Sequence, residues 1–210
     1  MDALNLKYKL DWQDRAFLKS FPKSLPFVKS NEFEKLHSRF IVLFNEQVNY
    51  ISDRQSQSHF IMCAYVLAAY LQEMNKGRDR GVVIQELVDA FKKFGARFII
   101  WSMRLMLWLR LYNRKYIENR TFQDVKRRYG DAFKLVEEKK AQQYTMVISK
   151  CAYYDFFNRH QLPELTKIFC AWDNLWSDEI NRRNCGIRFQ RPSTLANHDE
   201  NCRFEFHYDK

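Results

Sequence analysis

Apolar residues recur along the first half of the chain at the spacing of one helix face. From Glu32 to about Ile51 the set is Phe33, Leu36, Phe40, Leu43, Phe44 and Val48, the repeat expected of an amphipathic helix. Phe60, Cys63, Ala64, Leu67, Leu71 and Met74 repeat it and stop before Gly77. Ile84, Leu87, Val88 and Phe91 form a third set within 82–94, with Gly95 as a stop signal. The stretch from Phe98 to about Asn119 is apolar nearly all round at first, which predicts a centrally buried helix. Residues 121–139 predict a shorter charged helix interrupted near Gly130, and residues 1–30, with Pro22 and Pro26, an arm or short helix on the body.

The period then changes. Tyr144-Thr145-Met146-Val147-Ile148 is β-branched and aromatic, and predicts a strand. Ala152 to His160 and Pro163 to Trp172 predict two short helices, with Pro163 in a favoured first-turn position. Ile187 to Leu195 and Cys202 to Tyr208 alternate around the turn-forming run 197–201, which predicts a β-hairpin. Helices first and an antiparallel sheet last make an α+β fold, an N-terminal helical layer on a C-terminal sheet. We expect a single domain over 1–210, divided into the arm 1–30, a helical half 31–140 and a sheet-containing half 141–210.

Composition agrees with a packed chain. Hydrophobic residues at 46% and charged residues at 29%, with 18 Phe and 11 Tyr, point to a bulky aromatic core rather than disorder. The net charge of +10 asks for an anionic partner: nucleic acid, acidic lipid or a small acidic substrate. The basic residues are scattered and carry no nucleic-acid-binding signature, so solvated helix faces explain most of them and nucleic acid is disfavoured as a partner. A basic face of Arg104, Arg110, Arg114, Lys115 and Arg120 keeps nucleic acid or membrane binding as a third reading, open to a salt-sensitive gel shift. The five cysteines form no CxxC pair, and the N-terminus lacks the basic and apolar regions of a signal peptide. Both point to free thiols and a cytoplasmic setting. The most apolar stretch, Phe98 to Leu111, contains Arg104 and Arg110, so no membrane span is expected.

Three pieces of the second half carry candidate chemistry: Cys151-x4-Phe156 leading into Pro163-Glu164-Leu165; Phe169-Cys170-x2-Asp173; and Arg191-x2-Thr194-Leu195-Ala196-x5-Cys202-x-Phe204-x-Phe206. In this order and spacing, over about residues 141–208, the chain resembles the L-2-amino-thiazoline-4-carboxylic acid hydrolase family. Members of that family end in a hairpin of the form Arg-x-x-Thr-Leu-Ala-x-Gly-Asp-x-x-Cys-x-Phe. One departure is plain: His198-Asp199 stand where the family has Gly-Asp. Asn197 tolerates left-handed backbone better than His, so a re-registered or lengthened turn is expected.

The resemblance implies a small-molecule hydrolase acting on a carbon–nitrogen bond of a cyclic amidine, opening a 2-amino-thiazoline carboxylate to an N-carbamoyl-cysteine. Such chemistry needs a nucleophile or activated water, a proton donor for the departing atom and a cation for the substrate carboxylate. Cys170 is a candidate nucleophile or metal ligand, Asp173 a general base one helical turn away on the same face, and Cys202 and Cys151 further catalytic candidates. Arg191 is a candidate carboxylate clamp, with Thr194, Glu164 and His198 as substrate-binding candidates. Each has a plainer explanation: buried cysteine as a small hydrophobe, Glu164 as a first-turn partner of the helix dipole, Arg191 in a structural ion pair. Asp173 is expected near a helix C-terminus. His160 is a further free candidate for proton transfer. The partner implied is a carboxylated small molecule. The resemblance fixes no cofactor, and a divalent metal, zinc or manganese, remains open.

The hairpin is also similar to the end of small-molecule-binding sensory domains of the 4-vinyl-reductase type, which hold zinc with cysteines and a glutamate. Arg191 and Thr194 stand where that pattern wants Glu and Cys. That likeness makes a non-catalytic binding module the alternative. A different reaction on the same scaffold, such as cyclisation or C–N or C–S cleavage, is another.

Overall fold

The computed structural model describes residues 4–183 and 185–209. The start of the arm, 1–3, and the last position of the sheet half, 210, lie outside the described residues. The arm contains a helix, α1 (Trp12–Ser24), opened by a capping box between Asp11 and Asp14. Its Phe17 and Phe21 are buried against Tyr65 and Phe91. α2 (Phe33–Asn45), α3 (Arg54–Met74) and α4 (Arg80–Lys93) follow the three expected patterns. Asp53 caps α3 by accepting from Ser56 N at 2.6 Å. α3 is the central helix, buried on nearly every side from Ser56 to Tyr70.

The stretch expected to lie centrally does not. α5 (Ala96–Trp108) ends well before Asn119 and leaves Phe98, Trp101 and Trp108 exposed. Apolar composition all round says only that a helix has no polar face, and here the chain leaves its outer side bare. A short turn α6 (Arg114–Tyr116) runs through a π-helical stretch (Ile117–Thr121) into α7 (Phe122–Tyr129).

α7 stops at Gly130, whose φ of +68° disfavours other residues. A Cβ there would also lie 2.3 Å from Asp53 Oδ2, the same atom that accepts from Asp131 N. The chain continues as a strand, β1 (Lys134–Lys140), where a charged helix was expected. Its sequence KLVEEKK favours helix locally, but pairing with β2 (Gln143–Lys150) across a two-residue turn overrides that preference. The lysines then sit on an exposed edge, where charge discourages pairing with other chains.

α8 (Ala152–Arg159) leads through a 3₁₀ turn (Pro163–Leu165) into α9 (Thr166–Arg183). α9 is longer than expected and puts Asp173 mid-helix, so a helix C-terminus is not what surrounds it. The sheet closes with β3 (Ile187–Gln190) and β4 (Cys202–Tyr208), in the order β1-β2-β4-β3, antiparallel throughout. β3 is shorter than expected, so Arg191 lies beyond it in the connection to β4 rather than on a paired strand. One face of the sheet carries Tyr144, Met146, Phe189, Phe204 and Phe206, against which Trp176 of α9 packs. The Asn181 side chain bonds both Phe189 N–H (2.8 Å) and Phe189 C=O (3.0 Å), occupying the free edge of β3 as a strand would. This fixes α9 against the sheet beside the connection that holds the site.

Candidate active site

α9 and the β3–β4 connection meet at Cys170, Asp173, Arg191, Thr194 and Cys202. Arg191 reaches back to α9: its Nη2 donates to the Cys170 carbonyl (3.1 Å) and to Asn174 Oδ1 (2.9 Å). Its Nη1 faces Asp173 Oδ2 at a loose 3.8 Å. Thr194 Oγ1 accepts from the Cys202 thiol at 3.5 Å and lies 3.8 Å from Cys170 Sγ. Leu195 N–H donates to Cys202 Sγ at 3.3 Å, so the Thr194 hydroxyl links the two thiols and Cys202 serves as a latch for the connection.

The turn in that connection explains the Gly-Asp pair of the family pattern. His198 itself adopts the left-handed conformation, at φ 66°, a geometry that suits glycine best. The expectation of a re-registered turn is therefore corrected: the register is kept and His198 bears the strain. Asp199 Oδ2 accepts from Thr194 N–H at 2.7 Å, which ties the turn to the residue between the two thiols. His198 is exposed on this turn.

Electrostatics separate the titratable groups. Burial raises the Asp173 carboxyl to about 6, against the opposing pull of Arg191 and the Trp176 side chain. Its side chain is nonetheless 23% accessible. The carboxyl is thus mostly enclosed by protein and partly reached by water. Burial, then the nearby Asp173 charge, raises the Cys170 thiol to about 11. Cys151, buried at the start of α8, is pushed well above the ordinary thiol value by the same cause. Both thiols are protonated at neutral pH and weak as nucleophiles.

The other sequence candidates go elsewhere. Glu164 is paired with Arg80 at the start of α4, and His160 contacts Gln47 at 3.2 Å and the Phe156 ring. Cys63 is core and Cys185 is exposed; all five cysteines are free. Among the described residues no group of three or more His, Cys, Asp or Glu side chains is placed to hold a metal ion. Two surface hollows, about 360 Å³ along Leu6–Leu10 and about 380 Å³ at the β3 edge, touch none of Cys170, Asp173 or Arg191.

Three residues near the site escape the sequence reading. Tyr129 and Tyr153 interact electrostatically with Asp173 and Cys151. The Tyr153 hydroxyl is 2.9 Å from Nδ1 of His59, whose Nε2 is buried without a bonding partner. Burial lowers His59 to about 4, so this ring is neutral. The signal in the sequence is a pair of tyrosines and a histidine on apolar helix faces, since a buried phenol needs a partner.

No curated protein and no solved structure matches the chain. Residues 57–206 match the model of one family, and the matched span takes in α3 from Gln57 on, the site and the sheet up to Phe206. The chain belongs to the L-2-amino-thiazoline-4-carboxylic acid hydrolase family.

Proposed function

We propose that the protein hydrolyses a 2-amino-thiazoline carboxylate or a closely related cyclic amidine, with Asp173 moving the protons and water as the nucleophile. The observation that carries this reading is the Asp173 carboxyl, raised to about 6 by burial, partly reached by water and facing Arg191. A group titrating close to neutrality can both take and return a proton. The raised Cys170 thiol supports water over a thiolate as the attacking group.

In this mechanism the water oxygen bonds to the ring carbon between nitrogen and sulfur while Asp173 takes one proton and passes it to the ring nitrogen. Collapse of the tetrahedral intermediate breaks the carbon–sulfur bond and keeps the ring carbon–nitrogen bond, so in this mechanism the bond cleaved is not the carbon–nitrogen bond that the resemblance suggested. The remaining hydroxyl proton goes to the departing sulfur, leaving an N-carbamoyl group and a free thiol. Both water protons and the oxygen are accounted for in the N-carbamoyl-cysteine product. The loosely engaged Nη1 of Arg191 supplies the cation for the substrate carboxylate. Thr194 and Asp199 hold the connection that positions Arg191.

The test is incubation of purified protein with 2-amino-thiazoline-4-carboxylate, followed by thiol titration of the protein-free filtrate and mass spectrometry. Time-dependent release of N-carbamoyl-cysteine is expected. Ligand binding without turnover would instead favour a binding module on the same scaffold.

A further inference from the structure

We propose that the outer face of α5 is a docking surface for an anionic lipid bilayer. Phe98, Trp101, Leu105 and Trp108 succeed one another at intervals of three and four residues, which aligns them along one side of the helix. Phe98 and Trp108 are each 70% exposed and Trp101 is 61% exposed; Leu109 and Leu111 extend the stripe. The opposite side is seated on the body through Met103, Met106 and Leu107, and the helix is further tied down at its start and flank. Phe94 C=O, just before α5, accepts from Trp172 Nε1 at 3.0 Å, and Arg104 is bonded to the buried Glu179 at 3.0 Å. The bare stripe therefore belongs to a fixed helix, and contiguous exposed aromatic surface of this kind marks an interaction site.

Charge selects the occupant. From Ala90 to Ile117 the chain contains no Asp or Glu. Lys92, Lys93, Arg97, Arg110 and Lys115 flank the stripe, and among the described residues none of these side chains has an ion-pair partner. Two copies apposed through this face would bring those cations together on a protein of net charge +10, which opposes self-association. An anionic surface satisfies them. Tryptophan favours the headgroup level of a bilayer, and a helix with aromatic and leucine residues on one side and basic flanks lies in that plane. None of the helices in the described residues is long and apolar enough to cross a membrane, so α5 would lie on the surface rather than span it. Its start lies beside Trp172, the neighbour of Asp173, so docking would bring the candidate active site close to the lipid surface.

The experiment uses the full chain in co-sedimentation with phosphatidylcholine vesicles, with and without phosphatidylglycerol. Binding is expected only when phosphatidylglycerol is present, and it should fall at high salt. Trp101→Ser with Trp108→Ser should weaken it by about tenfold or more. Arg97→Ser with Arg110→Ser should weaken it on phosphatidylglycerol as well. All four side chains face outward, and circular dichroism melts check that the variants stay folded. Failure to bind either vesicle overturns the proposal, as does unchanged binding by the tryptophan variant. A dimer in solution, or retention of single-stranded nucleic acid, that the tryptophan substitutions abolish while vesicles are ignored would assign the face to that partner instead.

Discussion

Replacing Asp173 with Asn isolates the cost of holding a buried carboxylate beside Arg191. The folded-state value of about 6 lies above the ordinary 3.8, so ionising Asp173 is harder in the native protein than in the unfolded chain. The stabilisation linked to the bound proton is complete below about pH 4 and is lost as pH rises through about 6. Converted at full ionisation, and trimmed for the water that reaches the side chain, the difference is about 2–3 kcal/mol. The opposing pull of Arg191 and Trp176 is already contained in that value. Asn resembles the protonated carboxyl at every pH. Asp173→Asn should therefore be more stable than the wild type by about 2–3 kcal/mol at pH 8, with the gap closing toward pH 4. Urea unfolding across that range measures it. A difference that does not change with pH, or a variant less stable at pH 8, would refute the claim that the carboxylate is held at a cost.

Other changes probe the surrounding frame. His198→Gly should stabilise the protein by about 0.5–1 kcal/mol by relieving the left-handed turn, read as a raised melting temperature; a lower one would show that the His198 side chain has a stabilising role. Cys170→Ser should keep kcat within about tenfold if water is the nucleophile, whereas a loss of about a thousandfold would restore the thiol to that role. Tyr153→Phe would remove the partner of the buried His59 Nδ1 and should cost about 1–2 kcal/mol in chemical denaturation; no loss would mean that the Tyr153–His59 contact carries little weight.

Much of this architecture is legible in the residues themselves. α2, α3 and α4 follow from single-faced apolar repeats, β2 from the β-branched and aromatic run Tyr144–Ile148, and β4 from alternation at Cys202–Tyr208. β1 is hidden because Lys134–Lys140 is rich in helix-favouring lysine and glutamate, and only its partner strand makes it extended. α9 reads short because Asp178, Glu179, Arg182 and Arg183 look like solvent-exposed chain, whereas Glu179 is buried under Arg104. α5 is misplaced because an apolar stretch cannot say which of its sides the rest of the protein covers. Within the site, the motifs that resemble the family mark Cys170, Asp173, Arg191, Thr194 and Cys202, and the fold brings them together. The same reasoning marks Glu164, spent on Arg80, and His198, spent on the turn. Tyr129, Tyr153 and His59 go unmarked because aromatic residues are common along the chain, and only three-dimensional proximity sets these apart.

The measurement closest to the central claim is the pH dependence of kcat/KM for thiazoline ring opening, compared between the wild type and Asp173→Asn. With Asp173 acting first as base, the wild-type rate should rise with pH and reach half its plateau near 6. Asp173→Asn should lose about a hundredfold or more together with that limb. A variant that keeps the same limb and plateau would contradict the assignment, as would a wild-type rate that climbs only at the alkaline pH where Cys170 ionises and vanishes in Cys170→Ser.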